Sequence, residues 1–236
     1  MHGLGTIVNF FAIIAGGVIG MVFGNLFTER FQSIIMMACG LSTVFIGLSG
    51  ALAGLLNAEG GVLRTQGTFL LIASLTGGSL LGEFLRIEDR LESFGEWLKQ
   101  KTGNARDASF VNAFITATLT VCIGAMAVVG SIEDGLEGNH SILFTKAILD
   151  FVIILIMSAS LGKGCAFSAI PVGIFQGSIT AVAGLLAPVI TDRAMGNLST
   201  VGSVLIFCVG LNLMFGKRVK VANMLPALLI AALWRG

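Results

Sequence analysis

Two charged residues stand at the start of an otherwise apolar run, "TKAILDFVIILIMSAS" at residues 145–160: Lys146 and Asp150. Spaced i,i+4, they share one face of a helix and can pair there. The pair has two readings. Lys146 can snorkel at a membrane boundary, with Asp150 about 6 Å deeper and bonded to it. Alternatively, Asp150, a carboxylate with apolar sequence on both sides, can take a coupling proton, a cation or the positive part of a solute.

The stretch "CAFSAIPVGIFQGSITAV" adds neutral polar groups. Gln176 falls near mid-bilayer by residue count, where it needs a bond to another helix, a water or a ligand. Pro171 removes a backbone donor, and Gly173 and Gly177 lower the cost of leaving helical geometry. A helix break is therefore expected at Pro171, Gly173 and Gly177, with Ser168, Ser178 and Thr180 beside it. Asn9, Asn112 and Asn212 lie in the first, fourth and last spans, and Thr116 and Thr120 share a helix face. These residues trace a polar seam, which a solute path requires and a polar bundle also uses. The candidate substrate- or ion-binding residues are thus Asp150, Lys146, Gln176, Ser168, Ser178, Asn212, Asn9 and Asn112.

Other chemistry finds no support. The histidines are His2 and His140, and neither lies near a cysteine or in an HExxH arrangement. Cys39, Cys122, Cys165 and Cys208 sit in apolar stretches without CxxC spacing and read as packing residues. The expectation is no enzyme, no metal and no cofactor. A net charge of +1 without a basic run argues against a nucleic-acid partner.

The elements that must position these residues are membrane helices. Of the 236 residues 55% are hydrophobic and 11% charged, against about 25% charged in soluble domains. Mean hydropathy is +0.94. Apolar runs at 4–27, 33–56, 67–85, 109–131, 147–161, 165–188 and 198–216 approach or exceed the length of a span. The fold class expected is all-α and polytopic, with about seven transmembrane helices in one integral membrane domain over 1–236. A last apolar piece, "VANMLPALLIAALW", covers only about 21 Å and is too short to span comfortably. The first run exceeds a signal-peptide core, has no basic leader and reads as a retained span.

Ten of the fourteen Lys and Arg residues fall on alternate connections: Arg30, five within 86–106, Lys163, and Lys217, Arg218 and Lys220. Arg64, Lys146, Arg193 and Arg235 fall on the other side. The positive-inside rule places the first group in the cytoplasm and the N-terminus outside. The connection 86–107 keeps Ile87, Leu91, Phe94 and Leu98 on one face, an amphipathic helix lying on the membrane or packed against other helices. It separates a first unit, 1–85, from a second, 108–236.

Thirty-two glycines set the packing style. Gly16, Gly20 and Gly24, Gly50 and Gly54, and Gly78 and Gly82 have the spacing that lets helix backbones meet, within the chain or between copies in a homo-oligomer. "GGVIG" and "GGSLLG" recur at an offset of 62. A second comparison, "VNFF" with "VNAF" and "TGGSLL" with "FQGSIT", would relate spans one to three to spans four to six as a 3+3 inverted repeat.

The segments "TVCIGAMAVVGSIEDGLEG", "TKAILD", "FSAIPVGIFQGSIT", "VGSVLIFCVGLNLMF" and "VANMLPALL" resemble a bacterial family classed as a domain of unknown function, number 554, of the YqgA/YdfK type. The likeness covers most of the chain. It implies a multi-pass protein of the bacterial inner membrane with a transport role, and no residue assignments. A secondary transporter of a small polar or charged solute is the leading expectation. An oligomeric channel, and a membrane scaffold docking a partner through 86–107, are the alternatives.

Overall fold

The structure, a computed structural model, describes residues 2–24, 28–59, 62–122, 125–186 and 191–234. Arg235, counted above with the outer group, lies outside them, as does the Cys39 side chain. The helices are α1 (Leu4–Gly24), α2 (Glu29–Leu55), α3 (Thr68–Leu85), α4 (Ile87–Lys101), α5 (Phe110–Cys122), α6 (Ala125–Leu136) and α7 (Ser141–Leu161). They continue with α8 (Ala169–Ala181), α9 (Ala183–Leu186), α10 (Asp192–Phe215), α11 (Val221–Met224) and α12 (Pro226–Leu233).

Six helical segments of the described residues are long and apolar enough to cross a membrane. A seventh exists only if α5 and α6 form one span, bent by 63°. The straight helix expected over 109–131 is therefore corrected to a broken one. The chain ends in a short apolar helical piece, Val221–Leu233, as its length requires. Between α2 and α3 an antiparallel hairpin pairs β1 (Leu56–Glu59) with β2 (Val62–Thr65), Leu56 opposite Thr65. Sequence reading leaves this stretch as a plain connection, although Gly60–Gly61 between the strands is a strong hairpin signal.

The chain forms two compact units that interleave along the sequence and do not divide at 86–107. One comprises Met1–Cys39, Arg90–Cys122 and Met126–Ala187. The other comprises Gly40–Asp89, Ile123–Ala125 and Pro188–Gly236.

In the first unit α1 lies along α7, and the glycine stripe explains how closely. A Cβ at Gly16 would stand 2.5 Å from the Phe151 carbonyl oxygen, and one at Gly24 would stand 2.6 Å from that of Ala159. Gly20 meets the Leu155 carbonyl in the same way. Lipid offers no hydrophobic drive between helices, so this contact depends on dispersion between closely apposed backbones. The rising numbers on both sides show that α1 and α7 run parallel. On another face Gly17 meets Ala166 and Phe10 meets Gly173, so α8 runs antiparallel to α1. The amphipathic α4 packs on α5, with Leu98 4% exposed and the Phe94 ring 5.9 Å from that of Phe114.

The second unit repeats the device. Gly78 and Gly82 of α3 meet the backbones of Ala227 and Asn223. Gly47 and Gly54 of α2 meet Phe207 and Thr200 of α10. Leu70, Val201, Ala227 and Ala231 form its apolar core. Its charged end is tied by Lys220 to Glu83 at 2.8 Å, Asn223 to Glu83 at 2.7 Å and Lys217 to Glu88 at 2.7 Å. The Glu83 hydrogen bond also raises the Lys220 pKa above the ordinary lysine value.

Candidate functional site

Four elements of the first unit converge on Asp150. Lys146 and Asp150 face inward from α7, 7% and 3% exposed. The Lys146 ammonium donates to Asp150 Oδ1 at 2.8 Å and Oδ2 at 2.7 Å. The i,i+4 pair expected is present, but Lys146 is buried and does not snorkel outward. Its remaining donor goes to the Val121 carbonyl at 2.7 Å.

That third contact explains why a lysine belongs here. Val121 is the penultimate residue of α5, and the last carbonyls of a helix have no intrahelical partner. An ammonium at such an end satisfies a carbonyl and also meets the negative end of the helix dipole. The break after Cys122 thus creates an acceptor inside the unit, and Lys146 fills it.

From α1, the Asn9 side-chain amide donates to Asp150 Oδ2 at 3.0 Å and to Gln176 Oε1 of α8 at 3.2 Å. Asn9 and Gln176 are both fully buried. Among the described residues, Asn9 Oδ1 and Gln176 Nε2 are buried without a partner. The amide of Asn9 cannot turn over to relieve this, since its oxygen would then face the carboxylate. Beside the cluster, Thr6, Phe10, Phe11, Ile170 and Gly173 line an apolar groove of about 490 Å³.

The remaining candidates lie elsewhere or serve locally. Ser168 is buried and donates to the Cys165 carbonyl at 2.7 Å, closing the 3₁₀ turn Lys163–Ser168. Ser178 is exposed and bonds the Phe175 carbonyl in its own helix. Asn112 is exposed on α5. Asn212 belongs to the second unit, where it donates to the Val219 carbonyl and accepts from the amides of Arg218 and Val219, clamping the turn after α10. The expected break at Pro171, Gly173 and Gly177 is absent, and α8 runs unbroken through all three. Pro171 is the third residue of that helix, where its missing N–H would have had no intrahelical partner.

Sequence reading missed two groups. Asp134, not among the candidates above, is fully buried. It accepts from the backbone amides of Gly3 at 2.9 Å and Gly5 at 3.1 Å, and bonds His140 Nδ1 at 2.9 Å. It therefore caps α1 from another helix. The Val121 carbonyl is a backbone group, and its only sequence signal is Gly124 inside the span.

Comparison with known proteins supports a membrane protein and assigns no activity. The chain is 30% identical over 226 residues to the uncharacterized membrane protein YdfK of Bacillus subtilis (strain 168), covering 96% of this chain and 93% of the relative. It is 28% identical over 232 residues to the uncharacterized protein YqgA of Escherichia coli (strain K12), covering 97% and 94%. No solved structure matches. The model of the family described as "Protein of unknown function (DUF554)" matches residues 4–235, and the chain, a multi-pass helical membrane protein, belongs to that family.

Proposed function

We propose that this protein is a secondary transporter of a small polar or charged solute, coupled to a proton or cation through Asp150, in the bacterial inner membrane with its N-terminus outside. One observation carries the reading: a buried carboxylate–ammonium pair set on the C-terminal end of a broken helix, its carboxylate held by the Asn9 amide, which also bonds Gln176 of a further helix. Ionisable groups inside a membrane protein are costly and mark ion or solute paths. Transporters place such groups at the ends of discontinuous helices, where backbone carbonyls take part. Counted from the start of α7, Lys146 lies about 8 Å and Asp150 about 14 Å along the helix, within reach of the outer side.

An internal repeat fits this reading, though not the division into spans one to three and four to six. Gly17 of α1 meets Ala166, and Gly78 of α3 meets Ala227, at the same offset. In each unit a glycine helix therefore lies antiparallel to a short element that continues into a proline-containing helix.

The test is uptake into liposomes across a panel of amines, amino acids, organic acids and inorganic ions. Accumulation of at least one solute is expected, and Asp150→Asn combined with Gln176→Ala should abolish it. Uptake unchanged in that double variant removes these residues from the mechanism. Stepwise currents in planar bilayers would replace the transporter with a channel.

A further inference from the structure

We infer that the oxygen cradle around Lys146 Nζ is a binding site for a small primary amine carrying a neutral polar group, and that Lys146 is its tethered occupant at rest. The inference rests on the transport reading above and names its substrate class.

The geometry of the cradle selects the ligand. Three oxygens, Val121 O, Asp150 Oδ1 and Asp150 Oδ2, accept from one nitrogen at 2.7, 2.8 and 2.7 Å. Three donors on a compact positive nitrogen are what an R–NH₃⁺ group offers, and these are ordinary lengths for charge-assisted N–H···O bonds. Magnesium and calcium hold oxygens at about 2.0–2.1 and 2.3–2.6 Å, so either would require the cradle to contract. A quaternary ammonium has no N–H to give. The cradle draws on α5 and α7, and Asn9 of α1 supports its carboxylate.

A second observation extends the site beyond the ammonium. Asn9 and Gln176 form one half of a reciprocal amide pair, and the other half is open. Asn9 Oδ1 lacks a donor and Gln176 Nε2 lacks an acceptor, in side chains that are both fully buried. A pair built only for packing would close both bonds, because unsatisfied buried polar atoms are costly. A hydroxyl, which donates and accepts at one atom, answers both. An amino alcohol thus matches the charged and the neutral parts of the site, and its ammonium would displace that of Lys146.

The experiment is calorimetric titration of the full chain in detergent with ethanolamine, choline and potassium chloride at matched ionic strength. Ethanolamine should bind the wild type, weakened by the fraction of time that Lys146 occupies the cradle. Lys146→Ala removes the tethered competitor and should tighten binding on the order of 10²-fold. Asp150→Asn should abolish it in both backgrounds. Choline shares the hydroxyl and the charge but lacks the N–H donors, so neither it nor potassium should bind.

Equal binding of choline or potassium overturns the inference, as does binding confined to Lys146→Ala, which would make the pair purely structural. Should Lys146→Ala not fold, the wild-type titration and its loss in Asp150→Asn still decide. Asp150-dependent uptake of another solute without ethanolamine binding overturns the ligand class and leaves the transport reading intact. Binding without uptake of any solute does the reverse.

Discussion

Replacing Lys146 with methionine keeps the bulk of the stem and removes the charge. Among the described residues, Asp150, 3% exposed, would keep only its bond from Asn9, and the Val121 carbonyl would lose the ammonium that now satisfies it. Stranding one member of a buried pair costs about 3–5 kcal/mol, and the orphaned carbonyl adds roughly 1–3 kcal/mol. The double variant Lys146→Met with Asp150→Leu removes the stranded charge, and apolar replacement of a buried pair is often neutral or stabilising. It should therefore recover the part of the loss due to the stranded charge, about 3–5 kcal/mol, leaving roughly 2–6 kcal/mol from the unpaired Val121 carbonyl and Asn9 amide. The assay is reversible unfolding in mixed micelles with increasing denaturing detergent, followed by tryptophan fluorescence. A single-variant cost below about 1 kcal/mol is the range of exposed ion pairs. That result would mean that water reaches the pair at rest, and the reasoning from burial would fail.

Other perturbations test the packing and the ends of the units. Gly20→Ala would drive a methyl into the Leu155 carbonyl and should cost about 1–3 kcal/mol, whereas Gly177→Ala, with nothing within 4 Å of the added carbon, should stabilise α8 by roughly 0.5–1 kcal/mol; detergent melts compare the two. Asp134→Ala removes the partner of the Gly3 and Gly5 amides and of His140 and should speed hydrogen exchange at the start of α1, with a loss of about 1–3 kcal/mol. Because the Lys220 pKa is raised by its bond to Glu83, that contact's contribution is fully present below the unfolded lysine value and lost as pH rises through the folded one. The same contact is lost when Glu83 takes up a proton, so proteolysis at the turn after α10 should be constant through neutral pH and increase both in strong alkali and in acid.

How much could be read beforehand depended on whether a signal is local. Composition and run length are local, and they place the membrane helices, because the hydrocarbon thickness alone sets how many apolar residues a span needs. The i,i+4 pairing of Lys146 with Asp150 is also local and is present at 2.7 Å. The glycine spacings correctly marked close backbone contact, but a GxxxG stripe does not name its partner. That α1 meets α7 and α3 meets α12 follows from tertiary packing, and it makes the compact units interleave where the polar connection had suggested two halves. Asn9 and Gln176 could be nominated by residue type, yet so could Asn212, which clamps a turn, and Ser178, which bonds its own helix. A polar side chain in an apolar run must find a partner, and the sequence does not say whether that partner is its own backbone or another helix.

The helix breaks show the same limit more sharply. Pro171 looked like the break because proline removes a donor, but in the first turn of α8 there is no bond for it to remove. The consequential break lies between α5 and α6, where no proline stands. Its importance comes from what the freed carbonyl meets. Val121 is one residue from the end of α5, and Lys146 on α7 reaches it across the unit. A backbone acceptor created by irregular geometry has no residue type to betray it, so a site built on one is visible only once the helices are placed. Here that acceptor turns a pairwise salt bridge into a three-oxygen cradle, which a boundary ion pair would not need and a site for exchangeable ammonium would.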